Sequence, residues 1–284
     1  AGTSAGSLAT ALDYFGMDYK TVWECLDEKM LKALLFSLGS HLGQGILSGD
    51  RVVGLFERLL PAKLATYENA PFLYTTSVLV NSWSSWSADG GGKKGAGIIK
   101  PDESTFSTFR PVVFSREFDP AMRVSQGIFS SMCLPVFQGL SFPNREFTSI
   151  NEDGTTQRIM STKKGWTMDG GYMNNYPVDL LLLAGKANVN PATHIIISVV
   201  GDPPDKVEIG QDTIQKLVYM APDINSTEEL RRDRLRFADE NVIWWTIGGK
   251  ASGVGLFDFN KIDDMKQAGR ESAEKLLKTL GILQ

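Results

Sequence analysis

The run Gly2-Thr3-Ser4-Ala5-Gly6 has the pattern G-x-S-x-G and opens directly into the Ala- and Leu-rich stretch Ser7 to Phe15. A serine set among small residues at the mouth of an apolar helix fits a tight strand-to-helix turn, with the hydroxyl standing clear at the carboxyl edge of a sheet. Such a turn leaves little freedom to the rest of the fold. The backbone must leave a strand and enter a helix almost at once, and Gly2, Ala5 and Gly6 keep side chains out of the bend. The helix that follows points its free N–H groups and the positive end of its dipole at the group that Ser4 attacks, where an oxyanion develops. Ser4 is therefore the candidate nucleophile, with Gly2, Ala5 and Gly6 as elbow and oxyanion support.

A second cluster lies far downstream, in Trp166-Thr167-Met168-Asp169-Gly170-Gly171-Tyr172-Met173-Asn174-Asn175-Tyr176-Pro177. A short apolar run ends on an acid and passes into a glycine loop, the position at a strand end where open α/β sheets hold their reacting groups. Pro177 suits the first turn of a helix from Val178. The early G-T-S-A-G and the later D-G-G-x-x-x-N-x-P together resemble the patatin-like phospholipase family. The stretch Ala121 to Gln138, with Ser130-Ser131-Met132-Cys133-Leu134-Pro135-Val136-Phe137, is similar to that family's serine-rich helix and Pro-aromatic exit. The resemblance spans residue 1 to about 200 and is weaker beyond. It implies an α/β protein of three layers, a central, mostly parallel sheet flanked by helices, and a Ser4–Asp169 dyad with Gly170 and Gly171 supporting the acid loop.

The inventory of bases agrees with a dyad. A serine hydroxyl needs a proton acceptor, and imidazole is the commonest. Only His41 and His194 are available. His194 precedes the apolar run Ile195 to Val200, which puts it at the amino end of a strand and away from the elbow. His41 sits in a glycine-rich connection and precedes the acid in sequence, unlike an α/β-hydrolase histidine. Asp169 as base requires burial that strengthens its hold on a proton.

One expected part is out of place. Patatin-like proteins carry a G-G-G-x-[RK]-G oxyanion loop ahead of the serine, whereas here the serine motif stands at residue 2, leaving no room for that loop or for a strand feeding Ser4. The expectation is a single catalytic domain, residues 1–284, lacking its first strand and oxyanion loop, either as a piece of a longer protein or after processing. Gly90 to Gly95 reads G-G-G-K-K-G, but it lies between two strand-like runs, Phe72 to Val80 and Pro111 to Ser115. Those surroundings fit a long hairpin connection. A circular permutation using this run as an anion-binding nest is the competing reading.

Composition narrows the class further. With 284 residues and 42% hydrophobic content, the chain can bury a sizeable core. A net charge of −4 argues against nucleic acid or an anionic bilayer held mainly by overall charge. No run of about 18 apolar residues is present. Cys25 and Cys133 are the only cysteines and have no metal-site spacing, so reduced thiols are expected, with no metal and no cofactor. A cytoplasmic or peripheral-membrane location follows as an expectation. Helices are expected over Ser4 to Phe15, Thr21 to Leu38, Gly49 to Leu60 (capped by Ser48 or Asp50), Pro120 to Met132, Val178 to Ala187, Asp212 to Met220, Thr227 to Asp239 and Lys261 to Leu280. Strands are expected over Phe72 to Asn81, Arg110 to Ser115, into Met168, Thr193 to Val200 and Val242 to Ile247. This alternation is that of a layered α/β fold.

The resemblance implies a phospholipid or other acyl-ester lipid as substrate, met at a membrane surface, with an activating protein left open. Trp83, Trp86, Lys93, Lys94 and Lys100 offer a loop suited to headgroups. Phe257 and Phe259 are a weaker candidate. Met17, Met30, Met122 and Met132 fit either an acyl pocket or core filler. An acyltransferase or thioesterase using the same serine remains an alternative, as does a catalytically impaired lipid-binding module.

Overall fold

The computed structural model describes residues 1–18, 20, 22, 49–61, 65–80, 109–134, 141–142, 146–150, 156–160, 165–187, 195–200, 228–238, 241–247 and 261–283. Length and composition read as one domain; by internal packing the chain divides into two compact units, Ala1–Leu183 and Ala184–Gln284.

In the first unit, strand β1 (Gly2–Thr3) leads into helix α1 (Ala5–Tyr14). A strand does feed Ser4, and it is two residues long. Helix α2 (Asp50–Leu59) follows, then β2 (Thr75–Val80) and β3 (Phe109–Phe114). Helix α3 (Val124–Ser131) precedes β4 (Ser141–Phe142), the hairpin β5 (Glu146–Ile150) and β6 (Thr156–Met160), and β7 (Gly165–Asp169). Helix α4 (Val178–Ala187) comes after a short 3-10 turn at Gly170–Tyr172.

Strand β2 is the hub of the sheet. One of its edges pairs with β3 in antiparallel fashion along its whole length, from Thr75↔Phe114 to Val80↔Phe109. That pairing is what a long hairpin connection requires. The other edge is shared: β1 runs parallel to it at Thr75 and Thr76, and β7 runs antiparallel at Ser77 to Val80. Strands β1 and β7 therefore point their carboxyl ends at each other along one edge, and β4 closes the far side of β7. Parallel pairs among the described residues are β1 with β2 and, in the second unit, β8 (Ile195–Val200) with β9 (Val242–Ile247).

Helix packing follows the sequence pattern. Helix α2 buries Val52, Leu55, Phe56 and Leu59, spaced three and four apart, and turns Arg51, Glu57 and Arg58 to solvent. These residues pack with Ala11 and Leu12 of α1, Ile128 and Phe129 of α3, and Leu79, Val112 and Phe114 of the sheet. Each fully buried Leu, Ile or Phe contributes about 1.5–3 kcal/mol. Met122 is buried in this core and Met17 and Met132 pack against it, so these three methionines are core filler. The cap of α2 differs from expectation. Gly49 is the N-cap residue and no side chain caps the helix, while Asp50 is already its first residue.

The second unit joins β8 and β9 with a helix α5 over residues 228–236 and α6 (Ile262–Thr279). Trp245 Nε1 donates to Ser272 Oγ at 2.7 Å and ties α6 to β9. In β8, Ile195, Ile197 and Val199 are buried while Ile196 is 50% exposed. An unbroken Ile-Ile-Ile-Ser-Val-Val run reads as a strand covered on both faces, but here it has a buried face and an exposed one. The expected helices over Thr21 to Leu38 (apart from Val22) and Asp212 to Met220 lie outside the described residues, as do Cys25, Met30, His41, Ser48, Trp83, Trp86, Gly90 to Gly95, Lys100, Pro135, His194, Phe257 and Phe259.

Candidate active site

The shared edge of β2 brings the two sequence-predicted residues together. Thr3 is opposite Thr76 and Asp169 is opposite Ser77, the next position on the same edge. Coming from β1, Ser4 would run into Asp169, so the chain must swing away at that residue. Ser4 does so with φ 52 and ψ −132, the single positive-φ residue other than glycine among those described. Such a conformation costs on the order of 1–3 kcal/mol and persists only when its surroundings fix it. They do: Ser4 N–H donates to Ser131 Oγ at 2.9 Å, and the Ser4 carbonyl accepts from Ser7 N at 2.9 Å and Ser7 Oγ at 2.6 Å.

Gly2 makes the swing possible. A Cβ there would lie 2.5 Å from the Gly6 carbonyl oxygen and 2.6 Å from Ser7 Cα, both backbone atoms that cannot yield. Gly2→Ala is therefore expected to cost at least about 1–3 kcal/mol by overpacking. A fall in thermal midpoint with loss of activity would show it, and an unchanged midpoint would contradict the packing. Gly6 is different from expectation: a Cβ there would meet nothing within 4 Å. It does not make the bend, and both it and Ala5 are exposed at the start of α1, whereas Ser7 is buried.

Ser4 Oγ donates to Asp169 Oδ2 at 2.6 Å, and Gly171 N donates to Asp169 Oδ1 at 2.8 Å. The first distance is that of a strong, charge-assisted bond. Asp169 is 4% exposed. Burial pushes its pKa up to about 6 from 3.8, against the opposing pull of the bonds from Ser4 and Gly171. Gly170 lets the acid loop approach β2, since a Cβ there would lie 2.4 Å from the Thr76 carbonyl oxygen. The amides of Ala5 and Gly6 open α1, where a helix offers donors without intrahelical acceptors.

The surrounding framework is drawn from the quoted motifs and the serine-rich stretch, with bonds that the sequence does not assign. Thr3 Oγ1 donates to the Asn174 carbonyl at 2.9 Å and shares a 2.6 Å bond with Thr76 Oγ1, which links β1, β2 and the acid loop. The exit of α3 touches all three strand segments: Ser131 Oγ takes the Ser4 amide, the Ser130 carbonyl takes Ser77 Oγ at 2.9 Å, and the Cys133 carbonyl takes the Asp169 amide at 2.8 Å. Cys133 carries a buried thiol, its pKa driven up by burial and by the Asp169 carboxylate, so it stays protonated. Among the described residues no group of His, Cys, Asp and Glu is placed to hold a metal ion, and no helix is long and apolar enough to cross a membrane.

A strained serine at a strand-to-helix turn, bonded to a buried aspartate at the end of a neighbouring strand, sets a hydroxyl beside a proton acceptor, the two groups that nucleophilic acyl transfer requires. The sequence profile of the patatin-like phospholipase family matches residues 1–182, ending at the boundary of the first compact unit. The chain belongs to that family, and its general activity is lipid acyl hydrolysis, with lipid esters as substrates. Among curated proteins none matches the chain.

Proposed function

We propose that the chain hydrolyses carboxylic esters of membrane lipids, in the manner of a phospholipase A or lysophospholipase, through a Ser4–Asp169 dyad. The observation that carries this reading is the 2.6 Å bond from Ser4 Oγ to Asp169 Oδ2. Asp169 takes the proton as Ser4 Oγ attacks the ester carbonyl. The oxyanion develops over the amino end of α1, near the Ala5 and Gly6 amides. As the tetrahedral intermediate collapses, the proton passes from Asp169 to the departing alcohol, leaving an acyl-serine. Water then attacks that ester with Asp169 again as base, and the fatty acid leaves with Ser4 restored. A carboxylate with a pKa near 6 remains ionised at neutral pH and is a better base than an ordinary aspartate.

The test is covalent. A fluorophosphonate should label one residue, found by peptide mass spectrometry to be Ser4, and a phospholipid dispersion should release free fatty acid at a rate that labelling abolishes. His41→Ala and His194→Ala should leave most of that rate. Labelling at another serine, or a His194→Ala loss as deep as that of Ser4→Ala, would overturn the dyad.

The same reading extends to the membrane surface. Trp83 and Trp86, with the lysines after them, combine rings that favour an interface with charges that favour anionic lipid. Trp83→Ala with Trp86→Ala is expected to weaken vesicle binding and hydrolysis of aggregated lipid while sparing a short soluble ester. Equal loss on both substrates would assign the rings to packing instead.

A further inference from the structure

The dyad needs two side chains held together on strands that merely meet end to end. The ladder brings the ends of β1 and β7 to adjacent positions on β2, opposite Thr76 and Ser77, but does not bond them to each other. The exit of α3 spans that gap. It takes the Ser4 amide on Ser131 Oγ at 2.9 Å and the Asp169 amide on the Cys133 carbonyl at 2.8 Å, two residues apart in sequence. The bond to Asp169 joins two backbone groups and does not depend on the Cys133 side chain. The bond to Ser4 is made by a side chain, fully buried, at the last residue of the helix.

The geometry points to Ser131 as a positioning residue for the nucleophile: its hydroxyl oxygen holds the Ser4 amide so that the strained elbow keeps Ser4 Oγ on Asp169 Oδ2. Three features separate this from ordinary packing. The amide it holds belongs to the reacting serine, so any slack moves Oγ directly. Ser4 sits at φ 52, from which a non-glycine residue relaxes once released. The bonds from Ser7 act on the Ser4 carbonyl, and the β2 pairing and the Thr3 hydroxyl hold the residue before it, so Ser131 is the partner of the Ser4 amide itself. The bond also commits the Ser4 amide, which leaves oxyanion binding to the amides that follow it.

This inference rests on the dyad reading above, and the experiment keeps the two apart. Wild type, Ser131→Ala and Ser131→Thr are labelled with a fluorophosphonate, and both the number of sites titrated per chain and the rate constant are measured. Alanine removes the hydroxyl that accepts the Ser4 amide and favours helix, whereas threonine keeps a hydroxyl there. The expected result is full stoichiometry with a rate lowered about 10- to 100-fold for Ser131→Ala, the scale of a small misplacement of a reacting atom. Ester hydrolysis should fall by a similar factor in kcat with KM little changed, and Ser131→Thr should restore most of the rate. An undiminished rate constant in Ser131→Ala overturns the proposal, and so does a drop in titratable sites at unchanged rate constant, which is the mark of a merely structural role. Should Ser131→Ala not accumulate as folded protein, Ser131→Cys, similar in size and a poorer acceptor, is compared with wild type by the same criteria. Failure of the wild type to label at Ser4 would instead remove the dyad.

Discussion

Ser4→Ala is expected to lower lipid hydrolysis by on the order of 10⁴–10⁶ in kcat, because no acyl-enzyme forms without the hydroxyl and the rest of the site contributes only binding and oxyanion stabilisation. The fold should survive, since the elbow is held through the backbone of residue 4 by Ser131 and Ser7. Ser4→Gly should be equally inactive and yet more stable than Ser4→Ala by about 1 kcal/mol, because glycine adopts a positive φ without the steric cost that alanine meets. The pair of variants thus separates the chemistry of the hydroxyl from the strain of the turn. Parallel measurements of fatty-acid release and thermal midpoint check both. Residual activity above about 1% in Ser4→Ala would move the nucleophile elsewhere.

The turn at Ser4 and the loop after Asp169 are legible in the sequence because each carries a local steric signature. Gly2 has no space for a Cβ, Gly170 lies against the Thr76 carbonyl, and both needs are written as glycines beside a polar residue. Strand Val242–Ile247 and helix α6 were legible from length and periodicity alone. What escaped depends on the register of distant segments. That β1 and β7 share an edge of β2 is a matter of pairing, and no residue near Ser4 or Asp169 encodes it. Ser131 reads as one more hydroxyl in a serine-rich helix until the end of that helix is placed beside the Ser4 amide. The apolar run from Phe72 predicts a strand that begins there, yet Phe72 is 61% exposed and precedes β2. The β5–β6 hairpin has a local signal in Asp153-Gly154, a favoured turn dipeptide between two strand-length runs. Gly6 was grouped with Gly2 by the motif, although only Gly2 is sterically required.

Asp169→Asn is expected to lower kcat by about 10³–10⁴, since the amide still accepts a hydrogen bond from Ser4 but takes no proton from it. The wild-type enzyme should lose activity as pH falls through about 6, where the carboxylate becomes protonated. Stability should move the other way. A carboxyl whose pKa rises from 3.8 to about 6 on folding binds its proton more tightly in the folded chain, so its stabilising contribution is full below 3.8 and is lost as pH rises through 6. Across that window the wild type gives up about 3 kcal/mol, a cost that asparagine, which does not ionise, avoids. Asp169→Asn should therefore melt above wild type near pH 8, and the difference should shrink toward pH 4. Denaturant unfolding at the two pH values, beside pH–rate profiles of both proteins, measures each half. A wild type whose rate stays flat to pH 4 would show that Asp169 is not the base. A stability difference that does not depend on pH would show that its burial does not raise its pKa.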